Sequence, residues 1–232
     1  FKEKETVLLH GVTSSGKTEI YIKLIKKFLD EGKQILYLLP EIALTSQMVD
    51  RLRNAFGEKV GVYHSKYNDA ERVETWNNIS GINKIINSPE YKLILGVRSS
   101  VFLPFTNLGL IIIDEEHENT YKQYNPAPRY QARDAALFLA RIHNAKCLLG
   151  SATPSLESYF NSKTGKYGYV KLNHRYLNIE MPEIIIADVK EARRKKQMKS
   201  HFTPVLIDEI YKAIQLKEQI ILFQNRRGFA IY

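Results

Sequence analysis

Short apolar runs and longer segments with helical periodicity alternate along most of this chain, and no other feature limits the fold as strongly. Several of the short runs are apolar throughout, as strands buried on both faces of a sheet are. Alternating strands and helices predict an α/β fold, with a mostly parallel sheet and helices on both of its faces. The predicted strands lie near residues 6–10, 34–39, 60–63, 93–95, 108–113 and 146–149, with later ones near 184–187 and 219–223.

Apolar residues at helical spacing identify the segments between the strands as helices that pack on the sheet. Such stripes cover residues 24–28, 44–56 and 132–139. Thr203 followed by Pro204 predicts the capped start of a further helix, since proline is favoured at the first helical position. We therefore predict a first domain at residues 1–190, a basic linker at 191–202 and the truncated start of a second domain at 203–232.

The basic residues of the chain are unevenly distributed. The formal net charge is +9, and residues 190–199 contain six basic side chains against one acidic side chain. More than half of the excess positive charge therefore lies in this run. Two interpretations stay open, because a block of like charge is typical of a solvated linker but also suits contact with the phosphates of a nucleic acid.

Composition excludes several classes of protein. Apolar residues make up 44% of the chain and charged residues 25%, which is ordinary for a globular protein. No apolar run reaches the ~18 residues of a membrane-spanning helix, and the N-terminal residues lack the apolar region of a signal peptide. The single cysteine, Cys147, excludes a disulfide framework and a thiol cluster for a metal. We expect a cytoplasmic protein without a membrane partner and, because the chain begins with Phe1, a fragment of a longer protein.

Residues 11–18 read GVTSSGKT, a complete match to the phosphate-binding loop G-x-x-x-x-G-K-[ST] between a predicted strand and a predicted helix. Glycines allow backbone N–H groups to surround a phosphate, and the helix N-terminus adds positive potential. A glycine-rich helix start is the plain alternative, but it leaves Lys17 without a role. The predicted nucleotide-binding residues are Gly11, Thr13, Ser14, Ser15, Gly16, Lys17 and Thr18.

A second group of polar residues follows the strand predicted at 108–113. Asp114 and Glu115 come directly after this strand, at the edge of the sheet where open α/β folds bind ligands. Nucleotide hydrolysis requires an acidic group there to hold Mg²⁺ and to orient water. We predict that Thr18 and Asp114 bind Mg²⁺ and that Glu115 activates water, with Lys17 as the third catalytic residue. The alternative is that these acids only cap a helix.

Several segments, in the same order along the chain, resemble a known family. Residues 114–117, Asp-Glu-Glu-His, are a variant of the Asp-Glu-x-His box of superfamily 2 helicases, and residues 150–154 resemble the Ser-Ala-Thr box that follows it. Segments at 39–45, 96–105, 114–123 and 223–228 narrow the resemblance to the replication restart helicases. The resemblance implies a RecA-like P-loop NTPase lobe, which is the first motor lobe of an ATP-dependent 3′-to-5′ DNA helicase acting in replication restart and primosome assembly.

The same resemblance implies further roles for individual residues. His117, Ser151 and Thr153 correspond to residues that couple the nucleotide site to DNA. An aromatic-rich loop after the acidic box would contact single-stranded DNA, and its tyrosines and cations suit base stacking and phosphate contact. Without the family, the tyrosines would favour packing. For Arg98, the alternative to DNA contact is an ordinary surface salt bridge. The implied DNA-binding residues are Pro40, Glu41, Arg98, Tyr121, Lys122, Tyr124, Arg129 and Tyr130.

Cofactors and partners also follow from the resemblance. It implies ATP and Mg²⁺ as cofactors, and single-stranded or forked DNA and primosome proteins as partners. Members of the family also carry a zinc module, an upstream adenine-recognition segment and a second motor lobe with catalytic arginines, and we expect these to lie outside this chain. Such arginines contribute about 10³- to 10⁵-fold in rate in related systems. We therefore expect the chain alone to bind Mg-nucleotide weakly, to hydrolyse it slowly or not at all, and not to unwind DNA.

Three alternatives to a replication restart helicase stay open. The chain could belong to another superfamily 2 DNA translocase. It could be a P-loop kinase for a small molecule, which would need an acceptor pocket and a lid but no Ser-Ala-Thr box. It could also be a nucleic-acid-binding module with a vestigial loop, although intact Lys17 and Asp114 argue against that.

Overall fold

The computed structural model describes residues 1, 3–41, 43–64, 68–81, 90–179 and 182–223. The chain divides into two compact units, Phe1–Ile179 and Glu180–Tyr232. This division falls before the boundary predicted at residue 190. The helicase roles predicted for residues 1–190, 191–202 and 203–232 stay predictions.

The first unit is built on one parallel sheet. Its strands are β1 (Thr6–Gly11), β2 (Gln34–Leu38), β3 (Val60–Tyr63), β4 (Leu93–Gly96), β5 (Leu108–Asp114), β6 (Lys146–Ser151) and β7 (Gly168–Leu172). Every strand pair runs parallel, and the strand order is β3-β4-β2-β5-β6-β1-β7. All strands therefore end at the same edge, and β6 lies between β5 and β1.

Helices cover both faces of this sheet, because its strands are apolar on both sides. The helices of the first unit are α1 (Lys17–Asp30), α2 (Ser46–Phe56), α3 (Asp69–Ser80), α4 (Ala132–Ile142) and α5 (Leu156–Lys163). Successive residues of each strand point to opposite faces of the sheet, so the core forms two buried clusters. One cluster includes Tyr21 of α1 and Leu52 of α2, and the other includes Ile79 of α3 and Ala136 of α4. The predicted α/β fold with helices on both faces is confirmed.

The second unit contains two helices in its described residues, α6 (Val189–Arg194) and α7 (Pro204–Gln215). The side chain of Thr203 accepts a hydrogen bond from the Leu206 N–H, so the predicted cap before Pro204 is confirmed. Helix α6 forms within the basic run, where Asp188 caps it through the N–H groups of Lys190 and Glu191. No helix within the described ranges has the length and apolar character needed to cross a membrane.

The two late strand predictions were wrong. Residues 184–187 and 219–223 are described, and neither segment forms a strand. Ile186 is 91% exposed and Ile221 93% exposed, and no ladder within the described residues pairs with either segment. An apolar run becomes a strand only when a neighbouring strand forms hydrogen bonds with its backbone N–H and C=O groups. The sequence of the run does not show whether such a neighbouring strand exists. Conversely, β7 was missed because this edge strand is only partly buried and lacks a continuous apolar run.

Candidate nucleotide site and helicase motifs

The loop between β1 and α1 has a backbone that only particular residues permit. Ser14 and Gly16 both have left-handed conformations, with φ values of 61° and 85°. Gly16 directly precedes α1, and glycine adopts this conformation without the penalty that a Cβ atom adds. At Gly11, a Cβ atom would lie 2.6 Å from Ser15 Oγ, so a side chain there would disturb the loop. The glycines of the motif thus allow its sharp turn toward the start of α1.

Lys17 is held between the loop and the acidic box. Its Nζ atom donates a hydrogen bond to the Gly11 carbonyl at 2.9 Å and lies 4.0 Å from Glu115 Oε1. The Lys17 side chain is only 11% exposed. Strand β1 places the loop and β5 places Glu115, so the sheet brings together residues almost a hundred positions apart in the sequence.

Asp114 ends β5 in a buried polar setting. Its Oδ1 atom accepts hydrogen bonds from the Tyr21 hydroxyl at 3.0 Å and from the Glu115 N–H at 3.1 Å, while Oδ2 accepts from the Tyr37 hydroxyl at 3.2 Å. Burial raises the pKa of Asp114, and the Tyr21 hydroxyl and Lys17 partly oppose that rise. Burial also raises the pKa of both tyrosines well above the ordinary value, so they act as neutral donors to the carboxylate.

Glu115 adopts a left-handed conformation with φ of 46° immediately after the strand. Burial raises its pKa, and the negative charge of Asp114 raises it further, whereas Lys17 lowers it. A carboxylate with a raised pKa holds a proton more strongly than a solvated one and is a better general base.

These residues share one cavity of about 660 Å³. This volume lies within the range of small-molecule sites in proteins. The loop residues and Lys17 bring hydrogen-bond donors to its lining, and Ser15 Oγ, which is buried beside Gly11, has no hydrogen-bond partner among the described residues. The donor set therefore fits a phosphorylated ligand. The lining residues are Thr13, Ser14, Ser15, Gly16, Lys17, Thr18, Glu19, Arg51, Asp114, Glu115 and Tyr176.

His117 joins the acidic box to the end of β6. Its Nδ1 atom lies 2.8 Å from Ser151 Oγ and 3.7 Å from a Glu115 carboxylate oxygen, and its Nε2 atom lies 3.3 Å from Thr153 Oγ1. Ser151 Oγ also accepts a hydrogen bond from the Thr153 N–H at 3.0 Å. The three residues predicted to couple the two boxes are thus in direct contact, because β5 and β6 are neighbours in the sheet.

The family model described as "DEAD/DEAH box helicase" matches residues 1–161, which is more than half of the chain. The chain belongs to the DEAD/DEAH box helicase family. The predicted relationship to superfamily 2 helicases is confirmed. The acidic box of this helicase chain reads Asp-Glu-Glu-His at residues 114–117, and its first two residues line the cavity beside the phosphate-binding loop.

Curated relatives carry the name "Replication restart protein PriA". The protein from Bacillus subtilis (strain 168) is 43% identical over 230 residues, which are 99% of this chain and 28% of that protein. The protein from Rickettsia prowazekii (strain Madrid E) is 42% identical over 229 residues, which are 99% of this chain and 34% of that protein. This helicase chain therefore spans about a third or less of the length of these relatives. The resemblance to replication restart helicases is confirmed by these matches.

A solved structure is also similar to this chain. The "Crystal structure of Pyrococcus furiosus Hef helicase domain" aligns with a TM-score of 0.49 and 19% identity, covering 74% of this chain and 36% of that one.

Two further predicted residues of this helicase chain lie beyond β2 and β4 at the same edge of the sheet. Arg98 Nη1 donates a hydrogen bond to the Thr120 carbonyl at 3.2 Å and lies 3.6 Å from Glu41 Oε1. The predicted contact residues Arg98 and Glu41 are thus paired with each other. Pro40 is buried and offers no side-chain surface to DNA, so the part of the prediction that included it needs correction.

The aromatic-rich loop of this helicase chain divides into buried and exposed parts. Lys122, Tyr124 and Arg129 are exposed, and Lys122 Nζ lies 5.0 Å from the centre of the Tyr124 ring. Tyr130 is half-buried, with its ring centre 4.9 Å from that of Phe102 in an edge-to-face contact. The exposed residues keep the surface that stacking on bases would require.

Tyr121 needs correction as a DNA-binding residue, because its side chain is only 1% exposed. Its hydroxyl donates a hydrogen bond to the Asp114 carbonyl at 2.6 Å and shares the same proton with the Leu38 carbonyl at 3.1 Å. The ring is therefore unavailable for stacking on a base. Tyr121 instead ties the end of β5 to the end of β2 beneath the acidic box.

Glu116 is a residue whose role the sequence did not reveal. It is fully buried, and its carboxylate accepts hydrogen bonds from Arg133 Nη1 at 3.1 Å, the Ser155 N–H at 2.7 Å and the Ser158 hydroxyl at 2.8 Å. These partners start α4 and α5, so Glu116 anchors the acidic box to both helices. Tyr21, Tyr37, Arg51 and Tyr176 were also missed, because aromatic and basic residues outside a motif give no local signal of the site they reach.

Magnesium was predicted at Thr18 and Asp114 of this chain, and zinc only for the full-length members of the family. Thr18 and Asp114 approach the same cavity and offer the oxygen ligands that Mg²⁺ prefers. Within the described ranges, no cluster of three or more His, Cys, Asp or Glu side chains could hold a metal ion. Two protein oxygens are enough for Mg²⁺ in phosphoryl-transfer sites, where water and phosphates supply the other ligands. The zinc prediction concerns residues outside this chain and stays a prediction.

Proposed function

We propose that this chain is the ATP-binding lobe of a 3′-to-5′ DNA helicase that acts in replication restart. The observation that carries the proposal is the convergence of Lys17, Asp114 and Glu115 on one cavity walled by the phosphate-binding loop. Membership of the helicase family and the names of the PriA relatives support the choice of DNA and of replication restart. The polarity rests on the resemblance alone.

In the proposed reaction, the loop residues and Lys17 bind the phosphates of ATP. Lys17, whose ammonium now donates to the Gly11 carbonyl, would exchange that contact for phosphate oxygens of the nucleotide. Thr18 and Asp114 would hold Mg²⁺, which when bound offsets negative charge on the phosphates. Glu115 would orient the attacking water and accept its proton, a role that its raised pKa favours.

His117 and the Ser-Ala-Thr box would carry the state of the nucleotide to the DNA. His117 Nδ1 lies near both Ser151 and Glu115, and its Nε2 faces Thr153, so a shift of Glu115 would alter the hydrogen bonds of His117 at the end of β6. We propose that this chain of contacts couples ATP hydrolysis to movement on single-stranded DNA. Primosome proteins are the proposed partners of the whole protein, as the relatives' name suggests.

Binding of a fluorescent Mg-ADP analogue tests the nucleotide site. We expect this chain to bind the analogue and Lys17→Ala to lose most of that binding, because the substitution removes the cation that faces the phosphates. Lys26→Ala is the matched control, since Lys26 is an exposed lysine on the same helix. Equal affinity in the Lys17→Ala and Lys26→Ala variants would contradict the proposed site.

Titration with single-stranded DNA tests the aromatic-rich loop. We expect Tyr124→Ala to weaken binding by about 1–3 kcal/mol, as the loss of one stacked base does. Lys122→Ala and Arg129→Ala should each reduce the slope of log affinity against log salt by about one phosphate contact. Lys26→Ala again serves as the control for a lost surface charge. DNA affinity and salt dependence that stay unchanged in all three loop variants would reject the loop as a DNA contact.

A further inference from the structure

We infer that Tyr176 is the platform on which the base of the bound nucleotide stacks, a role that the motifs of the chain do not assign. The inference rests on the proposed function of the phosphate-binding loop. Tyr176 lines the same cavity as Lys17 and Glu115, and it is the aromatic residue among the lining side chains. Tyr176 lies four residues after the end of β7, a strand that the sequence pattern did not predict.

The position of Tyr176 is set by two backbone contacts with the loop. The Tyr176 N–H donates a hydrogen bond to the Ser14 carbonyl at 2.8 Å, and the Val12 N–H donates one to the Leu172 carbonyl at 3.3 Å. Leu177 then turns the chain through a left-handed conformation, with φ of 57°. The segment after β7 is therefore tied to the same loop that would bind the phosphates.

The ring of Tyr176 is accessible although its backbone is held. Tyr176 is 70% exposed, whereas the other tyrosines near this site, Tyr21 and Tyr37, are fully buried and bonded to Asp114. An exposed aromatic ring beside a phosphate site offers a flat apolar face to a purine or pyrimidine. The remaining wall of the cavity carries Arg51 and Glu19, which are paired with each other across α2 and α1.

The charged side chains of the cavity determine which part of it faces the phosphates of the nucleotide and which part faces the base. Lys17 and the start of α1 lie at the phosphate end, next to the carboxylates of Asp114 and Glu115. Tyr176 lies on the side of the loop that Ser14 and Val12 border. A nucleotide whose phosphates occupy the loop can therefore extend its base over Tyr176 while its phosphates face Asp114 and Glu115.

Calorimetric titrations of Mg-ADP and of Mg-tripolyphosphate, which has no base, separate the role of the ring from that of the loop. We expect Tyr176→Ala to bind Mg-ADP about five- to a hundredfold more weakly and Mg-tripolyphosphate with unchanged affinity. Tyr176→Phe should bind both ligands as the unsubstituted chain does, because it keeps the stacking face. Phe138→Ala is the matched control, since it removes another exposed aromatic ring, on α4.

Two results would overturn the inference while leaving the nucleotide site intact. One is unchanged Mg-ADP affinity in Tyr176→Ala. The other is an equal loss of Mg-ADP and Mg-tripolyphosphate affinity, which would show that the segment after β7 only supports the loop. If the unsubstituted chain binds neither ligand, the proposed function fails, and the inference fails with it.

Discussion

At the scale of single residues, two tyrosines of one loop have opposite environments. The single hydroxyl proton of Tyr121 is shared between two backbone carbonyls, whereas Tyr124 is 61% exposed. We expect Tyr121→Phe to lower the free energy of unfolding by about 1–2 kcal/mol, because the buried carbonyls lose a donor. Tyr124→Phe is the matched control and should change stability by less than about 0.5 kcal/mol. Urea denaturation measures both, and equal stability of the two variants would contradict the structural role of Tyr121.

The single cysteine provides a second test at this scale. Cys147 lies within β6 and is completely buried, and burial raises the pKa of its thiol to about 12. Thiolate is the reactive form, so both access and ionisation oppose its modification at pH 8. We expect no reaction with a thiol reagent in the folded chain and complete reaction after denaturation. Rapid labelling of the native protein would show that β6 opens or is less buried.

At the scale of elements, the buried carboxylate of Glu116 joins the acidic box to the starts of α4 and α5. Removing one member of a buried ion pair leaves the other charge without compensation, which costs about 3–5 kcal/mol. We therefore expect Glu116→Ala to lower the free energy of unfolding by roughly that amount, because Arg133 is only 12% exposed. Arg133 Nε also lies 3.2 Å from Asp134 Oδ1. Because Asp134 still compensates part of the Arg133 charge, we expect a loss of about 3 kcal/mol, the lower end of this range.

Controls separate this network from a general effect of losing a carboxylate. Glu74 is exposed on α3, and Glu74→Ala should change stability by less than about 0.5 kcal/mol. In the double variant Glu116→Ala with Arg133→Met, part of the lost stability should return, because no buried charge is left alone. Urea denaturation of the unsubstituted chain, Glu116→Ala, Arg133→Met and the double variant completes the cycle. A loss below about 1 kcal/mol in Glu116→Ala would mean that water or other groups replace the carboxylate.

At the scale of the whole molecule, the first unit contains both buried clusters. Their residues run from Val7 to Leu149, and the helices that pack on them also belong to this unit. We expect a chain of residues 1–179 to fold with a thermal midpoint within about 3 °C of the full chain and to bind Mg-ADP with similar affinity, since a domain with its own core folds alone. Calorimetry checks both quantities. Failure of the shortened chain to fold would show that residues 180–232 support the sheet.

Motifs confined to one strand and the loop after it were accessible from the sequence. Residues 11–18 and 114–117 can be recognised from the sequence because their function requires particular residue types at consecutive positions after an apolar strand. The parallel sheet could be predicted for a similar reason, since strands buried on both faces need continuous apolar runs. The same reasoning failed at 184–187 and 219–223, where an apolar run lacks a pairing partner among the described residues.

The sequence by itself therefore determined the α/β class, the phosphate-binding loop and the acidic box. Only the tertiary structure decided that β6 lies between β1 and β5, which brings Ser151 to His117, and that Tyr121 faces inward. It also decided that Glu116 accepts a hydrogen bond at the start of α5 and that Tyr176 lines the cavity. The physical reason is that local motifs reflect the conformation of neighbouring residues, whereas burial and long-range contacts depend on strand order and packing across the sheet.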